Sequence, residues 1–304
     1  MRIASIDIGS YSIRLTVAEI RDRKMEIIFE KGRITALGTK VKETGFLQED
    51  RIKETLQVLE EYKKDIEKLK ANEIVAVATE ALRKAKNSQE FLNIVKKNLG
   101  IEVKIISPEE EGRYAYLAVA YSLNLEGKNC VIDQGGGSTE YIFGKKLNVE
   151  RLISFPFGIV NLTETFFKHD PPEEGEIENL LSFLEERITK IKTNVDNLVG
   201  LGGTITTLVA LEYNIYPYNP RDVHGKKLTL EQIKKWFEIL REIPSKERSR
   251  LYKQIEDKRA EVILAGVGIF LKTLEIFEKE EIIVSDWGLR EGVIVSKILN
   301  KNHS

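Results

Sequence analysis

Two short stretches of this chain combine an aspartate, glycines and hydroxyls in the way a phosphate-binding turn requires. Asp7-Ile8-Gly9-Ser10-Tyr11-Ser12 and Asp133-Gln134-Gly135-Gly136-Gly137-Ser138 align without gaps and share the Asp, the Gly and the final Ser. Each stands between two apolar runs that read as strands. A strand ending in Asp and turning through Gly and Ser leaves several backbone N–H groups pointing into the turn, where they surround an anion. Glycine permits that close approach. The hydroxyls of Ser10, Ser12, Ser138 and Thr139 add donors, and Asp7 and Asp133 at the strand ends can hold a hydrated magnesium ion. Either copy alone reads better as a plain glycine hairpin closed by an Asp; two matched copies point to phosphate.

A third candidate is Leu198 to Thr204, a strand running through Gly202 and Gly203 into a helix. A helix N-terminus offers unpaired N–H groups and a favourable dipole to an anion, although a tight strand-to-helix turn also needs glycine. Ser107-Pro108-Glu109-Glu110-Glu111-Gly112-Arg113 opens another helix. Ser107 with Glu110 fits a capping box, Pro108 fits the first helical position, and acidic residues suit the positive end of the dipole. That accounts for Glu109 and Glu110 and leaves Glu111 as a surplus carboxylate: by its chemistry alone it reads first as one more acidic residue at a helix start, and, if its face looks into the cleft, as a candidate to deprotonate a water attacking a bound phosphate. Arg83, Arg113 and Arg290 are further phosphate-binding candidates, with solvated surface roles as the alternative. Asp286 to Gly292 follows a strand and opens the last helix.

Other chemistries lack their residues. There is no G-x-x-x-x-G-K-[ST] loop and no G-x-G-x-x-G after a strand. The three histidines, His169, His224 and His303, have no ligand-like spacing. His169-Asp170 stands before two prolines and reads as a loop.

The elements that position these turns follow from periodicity. Arg2 to Asp7, Ile13 to Ile20 and Glu26 to Lys31 read as antiparallel strands. Ile52, Leu56, Leu59, Tyr62, Ile66 and Leu69 recur at spacings of three and four along one helix face. A strand at 73–78, a helix at 88–99, a strand at 103–106 and a helix at 108–124 complete a β-β-β-α-β-α-β-α order. At Asn129 the pattern restarts, with strands at 130–133, 139–143 and 149–154. The reading is an α/β chain of two duplicated domains, 1–124 and 125–287, with the segment 288–304 a candidate completion of the first. A ligand cleft between the domains is expected.

With 304 residues, each half is large enough for its own core. The 47 basic and 48 acidic residues cancel, so no wide positive field gathers nucleic acid, and an anionic substrate must meet local clusters. Cys130, the single cysteine, sits in an apolar run and reads as core in a reducing compartment. The N-terminal residues form no signal-peptide core, and Ile263 to Leu271 is too short for a membrane span, so a soluble cytoplasmic protein is expected.

Taken in order, Ile6 to Ser10, Thr79 to Arg83, Ser107 to Arg113, Val131 to Glu140, Gly202 to Thr204, Arg259 to Gly266 and Ser285 to Gly292 resemble the exopolyphosphatase and guanosine pentaphosphate phosphohydrolase family over nearly the whole chain. The resemblance implies an actin-like ATPase superfold built of two ribonuclease-H-like domains. It implies hydrolysis of the terminal phosphoanhydride of polyphosphate, or of guanosine pentaphosphate to the tetraphosphate, with magnesium or another divalent cation. It assigns Glu111 as catalytic base and Asp133 with Gly135, Gly136, Gly137 and Ser138 as the phosphate and metal segment. The Asp7 loop, with Gly9, Ser10 and Ser12, faces them across the cleft in this reading, and Arg14 and Arg259 contact further phosphates or the guanosine. Tyr11 departs from the family's usual Asn in the first turn, and the helical domains that longer members append are not seen after Asn300, which implies a shorter grip on long chains. The rival readings are a kinase or ATPase of the same superfold and a non-catalytic sensor of guanosine tetra- or pentaphosphate. Neither the substrate ranking nor the oligomeric state follows from these residues.

Overall fold

A computed structural model describes residues 1–22 and 24–300; His303 and the end of the 288–304 segment lie outside them. The chain divides into two compact units, one of residues 1–118 with 288 onward, the other of residues 119–287. The division falls inside the helix Pro108–Ser122.

The first unit opens with β1 (Arg2–Ile8), β2 (Ser12–Arg21) and β3 (Lys24–Ile34), an antiparallel meander. β4 (Glu73–Ala78) then pairs parallel to β1, and β5 (Val103–Ile105) parallel to β4, giving the order β3-β2-β1-β4-β5. β1 is central, and its Ile3, Ala4, Ile6 and Ile8 are fully buried. A strand covered on both faces is apolar on both, which is why these isoleucines and Ala4 fall on neighbouring positions and do not simply alternate with exposed polar residues. One face is covered by the helix Glu49–Lys68, which buries Val58, Leu59, Tyr62 and Ile66. Ile52, Leu56 and Leu69 of the expected stripe pack at its margin. The Tyr62 hydroxyl donates to the Ile13 carbonyl at 3.0 Å and so ties the helix to the sheet. The helix Leu289–Asn300 presents Ile294 and Ile298 to Ile3 and Ala18, so the end of the described chain returns to this unit.

The second unit repeats the plan. β6 (Lys128–Gln134), β7 (Thr139–Lys145) and β8 (Asn148–Phe155) are an antiparallel meander. β9 (Asn197–Leu201) pairs parallel to β6; β10 (Lys227–Thr229) pairs antiparallel to β11 (Glu281–Val284), which runs parallel to β9. The order β10-β11-β9-β6-β7-β8 contains the first unit's order, with β10 added at the edge. Three residues are too few to show alternation, which is why β10 is not legible in the sequence.

The helix Ile263–Phe277 is the core of this unit and packs against Glu174–Thr189 and Leu230–Arg241. Its apolar run is explained by burial on all sides, with Gly268 letting Leu180 and Phe237 approach its backbone. Truncating Phe270 or Leu274, both fully buried, to Ala would cost about 2–5 kcal/mol. Among the described residues no helix is long and apolar enough to cross a membrane.

Candidate active site

The two sequence-matched turns close in the same way. The Gly9 N–H donates to the Ser12 carbonyl at 3.0 Å, and the Gly135 N–H to the Ser138 carbonyl at 3.0 Å. In the first turn Asp7 pairs with Arg14 across the ladder, and in the second Asp133 pairs with Glu140. Directly opposed residues share a sheet face, so each aspartate stands beside a charged partner position, cationic in one unit and acidic in the other.

In the second unit the carbonyls of the turn are taken up by the start of the helix Ile159–Phe166. The Ile159 N–H donates to Gly135 O at 3.1 Å, the Val160 N–H to Gly136 O at 2.9 Å, and Asn161 Nδ2 to Gly137 O at 2.9 Å. A trans peptide holds its C=O and N–H on opposite sides. The N–H groups of Gly136, Gly137 and Ser138 are therefore all directed away from that helix, which leaves three donors on one side of the turn. Gly136 and Gly137 are exposed. Thr139 is not part of this array: it is fully buried, and its hydroxyl donates to the Phe157 carbonyl at 2.8 Å, so it anchors β7 instead of reaching an anion.

The first unit uses a loop for the same task. Gly38 N–H donates to Ser10 O at 2.8 Å, and the Thr35 and Ala36 N–H groups donate to Tyr11 O at 3.2 and 2.9 Å. By the same planarity the Tyr11 and Ser12 N–H groups are directed away from that loop. Tyr11 is half exposed, and Arg14 is exposed.

Asp7 and Glu111 both lie in the first unit. Asp7 Oδ1 is buried and has no hydrogen-bond partner. Burial, then the negative charge of Glu111, push its pKa from the usual 3.8 up to about 6, against the attraction of Arg290 and Arg14. A carboxylate oxygen sealed from water without a donor suits a cation. Among the described residues no three His, Cys, Asp or Glu side chains gather into a metal cluster, but magnesium commonly takes only one or two carboxylates and keeps its waters. The residues present fit such an ion.

Glu111 lies in the first turn of the helix Pro108–Ser122, where the capping box forms as expected: Glu110 N–H to Ser107 Oγ at 3.2 Å and Ser107 N–H to Glu110 Oε2 at 3.1 Å. Glu110 is further held by Lys104. Glu111 accepts from Arg83 Nη1 at 3.0 Å, and the same nitrogen donates to the Ile106 carbonyl at 2.7 Å. Arg83 thus orients the carboxylate. Arg290 bonds to Thr16 Oγ1 and Glu30 within its own unit, and Arg113 is exposed.

At the third glycine turn, Gly202 adopts φ +99°, a conformation open to glycine, and a Cβ there would meet Gln134 O at 2.6 Å. Gly203 begins the helix Gly203–Glu212, and the Arg259 guanidinium lies against it: a Cβ on Gly203 would stand 2.2 Å from Arg259 Nη1. These two expected contact residues are brought together. Thr204 is 1% exposed and packs under Gly266, so its hydroxyl is closed off from a ligand in solution.

Sequence reasoning missed Gly38, Gly158 and Asn161, which support the two turns from behind. A Cβ on Gly158 would stand 2.5 Å from Gly135 O and from Gly136 C and O, and one on Gly38 2.8 Å from Ser10 Cβ. A signal was present: Leu37-Gly38 and Phe157-Gly158 each place an apolar residue and a glycine just after the third strand of a half.

Comparison with known proteins matches this arrangement to one family. The model of the Ppx/GppA phosphatase family matches residues 16–301. A crystal structure of the Aquifex aeolicus member of that family is 67% identical, covers 100% of this chain and 99% of its own, and superposes with a TM-score of 0.96. Exopolyphosphatase 2 of Mycobacterium tuberculosis is 28% identical over 315 residues, 97% of this chain and 98% of that protein. A bifunctional 3-dehydroquinate synthase/phosphatase of Fusobacterium nucleatum is 32% identical over 314 residues, 98% of this chain; the chain spans 47% of that longer protein. The repeated sheet order is the two-domain, actin-like α/β fold. The chain belongs to the Ppx/GppA phosphatase family.

Proposed function

We propose that the protein hydrolyses terminal phosphoanhydride bonds, with inorganic polyphosphate as substrate and guanosine pentaphosphate, which the family resemblance also implies, as the other. The observation that carries this reading is the Gly135–Ser138 turn: the carbonyls of Gly135, Gly136 and Gly137 are engaged by the start of the helix Ile159–Phe166, so the three N–H groups that follow them are suited to an anion on the other side. Such preorganised donors hold the charge of a phosphoryl group in transfer without reorganising.

Glu111 is the residue suited to take the proton of an attacking water, because Arg83 fixes its direction and leaves it partly exposed. Asp133 at the end of β6 is a carboxylate suited to a hydrated magnesium or other divalent ion, and Asp7 in β1 is, by itself, another; such an ion supplies neutralisation of phosphate charge when bound. Arg259 at the start of Gly203–Glu212 and Arg14 beside Asp7 are the cations suited to further phosphates. The buried single thiol suits a reducing cytoplasm.

The test is phosphate release from polyphosphate and, separately, from guanosine pentaphosphate, with magnesium, by the native protein and Glu111→Gln. Release that Glu111→Gln loses, with binding kept, supports the reading and ranks the substrates. Binding of either compound with no release would make the protein a sensor, and release only onto an acceptor would make it a kinase.

A further inference from the structure

The geometry points to Asn161 as a positioning residue: its side-chain amide holds the Gly137 carbonyl and thereby aims the Ser138 N–H at the bound phosphate. This rests on the phosphate-binding reading of that turn and names what sets its aim.

Asn161 makes three bonds that together settle which atom is which. Its Oδ1 accepts the Gly158 N–H at 2.7 Å, and its Nδ2 donates to Gly137 O at 2.9 Å and Pro156 O at 3.3 Å. The first is one half of a capping box at the start of the helix Ile159–Phe166, an ordinary structural duty. The second is different in kind, because it reaches back across 24 residues to a turn. The other two turn carbonyls are held by backbone N–H groups of the helix start, which any residue supplies. Only the Gly137–Ser138 peptide depends on a side chain.

That peptide is also the least restrained by packing. Gly137 is exposed and has nothing within 4 Å of the place a Cβ would occupy, whereas Gly136 touches Val160. A glycine flanked by open space rotates freely. Without the amide of Asn161 the peptide can turn over and offer its carbonyl, not its N–H, to an incoming anion. The first unit has no equivalent side chain among the bonds described at its turn, where backbone N–H groups of Thr35, Ala36 and Gly38 do the holding.

Two variants separate aim from capping. Asn161→Asp keeps the acceptor for the Gly158 N–H and loses the donor to Gly137; Asn161→Ala loses both and introduces no charge. Inorganic phosphate titrated against the 15N-labelled protein is followed at the amides of Gly136, Gly137 and Ser138, and melting is recorded for each variant. We expect phosphate to move these three resonances in the native protein. Both variants should bind it roughly tenfold more weakly, the loss of about one hydrogen bond to a charged group, with Asn161→Asp melting like the native protein. Weakening in Asn161→Ala cannot come from repulsion, and weakening in Asn161→Asp cannot come from a lost cap, so both are required. Native-like phosphate affinity in either variant overturns the assignment, as do native resonances that phosphate leaves unmoved. If those resonances respond but polyphosphate is not hydrolysed, the hydrolase reading fails and the positioning role stands.

Discussion

Arg83 and Glu111 form a 3.0 Å ion pair in which the arginine nitrogen is itself pinned by the Ile106 carbonyl. Both side chains retain some exposure, 23% and 35%, so the pair adds at most about 1 kcal/mol to stability. Its consequence is direction. Glu111→Gln should lower phosphate release by about 10²–10⁴-fold, and Arg83→Met, which frees the carboxylate to swing, by roughly tenfold with a change in melting of only a few degrees. Steady-state kinetics beside thermal unfolding would show it; an Arg83→Met enzyme as fast as the native one would end the orienting role.

Asp7 makes the stability of the protein depend on pH in the sense opposite to a paired carboxylate. Its folded pKa, about 6, lies above the ordinary 3.8, so the native state binds the proton more tightly than the unfolded chain. The contribution is therefore full below about pH 4, falls between about 4 and 6, and stays lost above. Asp7→Asn should be more stable than the native protein at pH 7.5, by on the order of 2 kcal/mol after allowing for partial exposure, with the gap closing at pH 4. Urea unfolding at the two values measures it, and a gap that ignores pH would contradict the assignment.

The uncompensated Asp7 oxygen also predicts a response to chelation. Removing divalent ions should abolish phosphate release, magnesium should restore it, and Asp7→Asn should need more magnesium than the native protein for half its maximal rate. Full activity in excess chelator would exclude the ion from the reaction.

Gly158 and Gly175 should respond oppositely to the same substitution. A methyl on Gly158 enters the backbone of Gly135 and Gly136 at 2.5 Å, and Gly158→Ala should cost at least about 2 kcal/mol and damage phosphate binding. A methyl on Gly175, in the helix Glu174–Thr189, meets nothing, and Gly175→Ala should stabilise by about 0.5–1 kcal/mol. Denaturant midpoints of the two variants check both signs at once.

Cys130 is fully buried in β6, and burial alone pushes its thiol pKa up. A thiol reagent should label it only after unfolding. Rapid labelling of the folded protein would mean that the core around Cys130 opens.

Much of the architecture was legible because it rests on local patterns. The strands around Asp7 and Asp133, the stripe from Ile52 to Leu69 and the capping box of Ser107 and Glu110 each follow from spacing or from residues three apart, and the duplication follows from two turns of matched composition. β10 escaped because three residues carry no period. Thr139 and Thr204 had the right chemistry for a ligand, but burial commits Thr139 to a carbonyl and closes Thr204 off under Gly266, which composition cannot reveal.

The sequence by itself determined the α/β class, the repeat, the glycine turns and the identity of Glu111 as a carboxylate beyond the needs of its helix. Only the tertiary structure decided that buried Asp7 feels the charge of Glu111, that Arg83 aims Glu111, and that Asn161 holds the turn at Gly137. The reason is physical: hydrophobic periods are written along the chain, whereas the direction of a peptide or a carboxylate is set by single hydrogen bonds to partners 24 or 28 residues away.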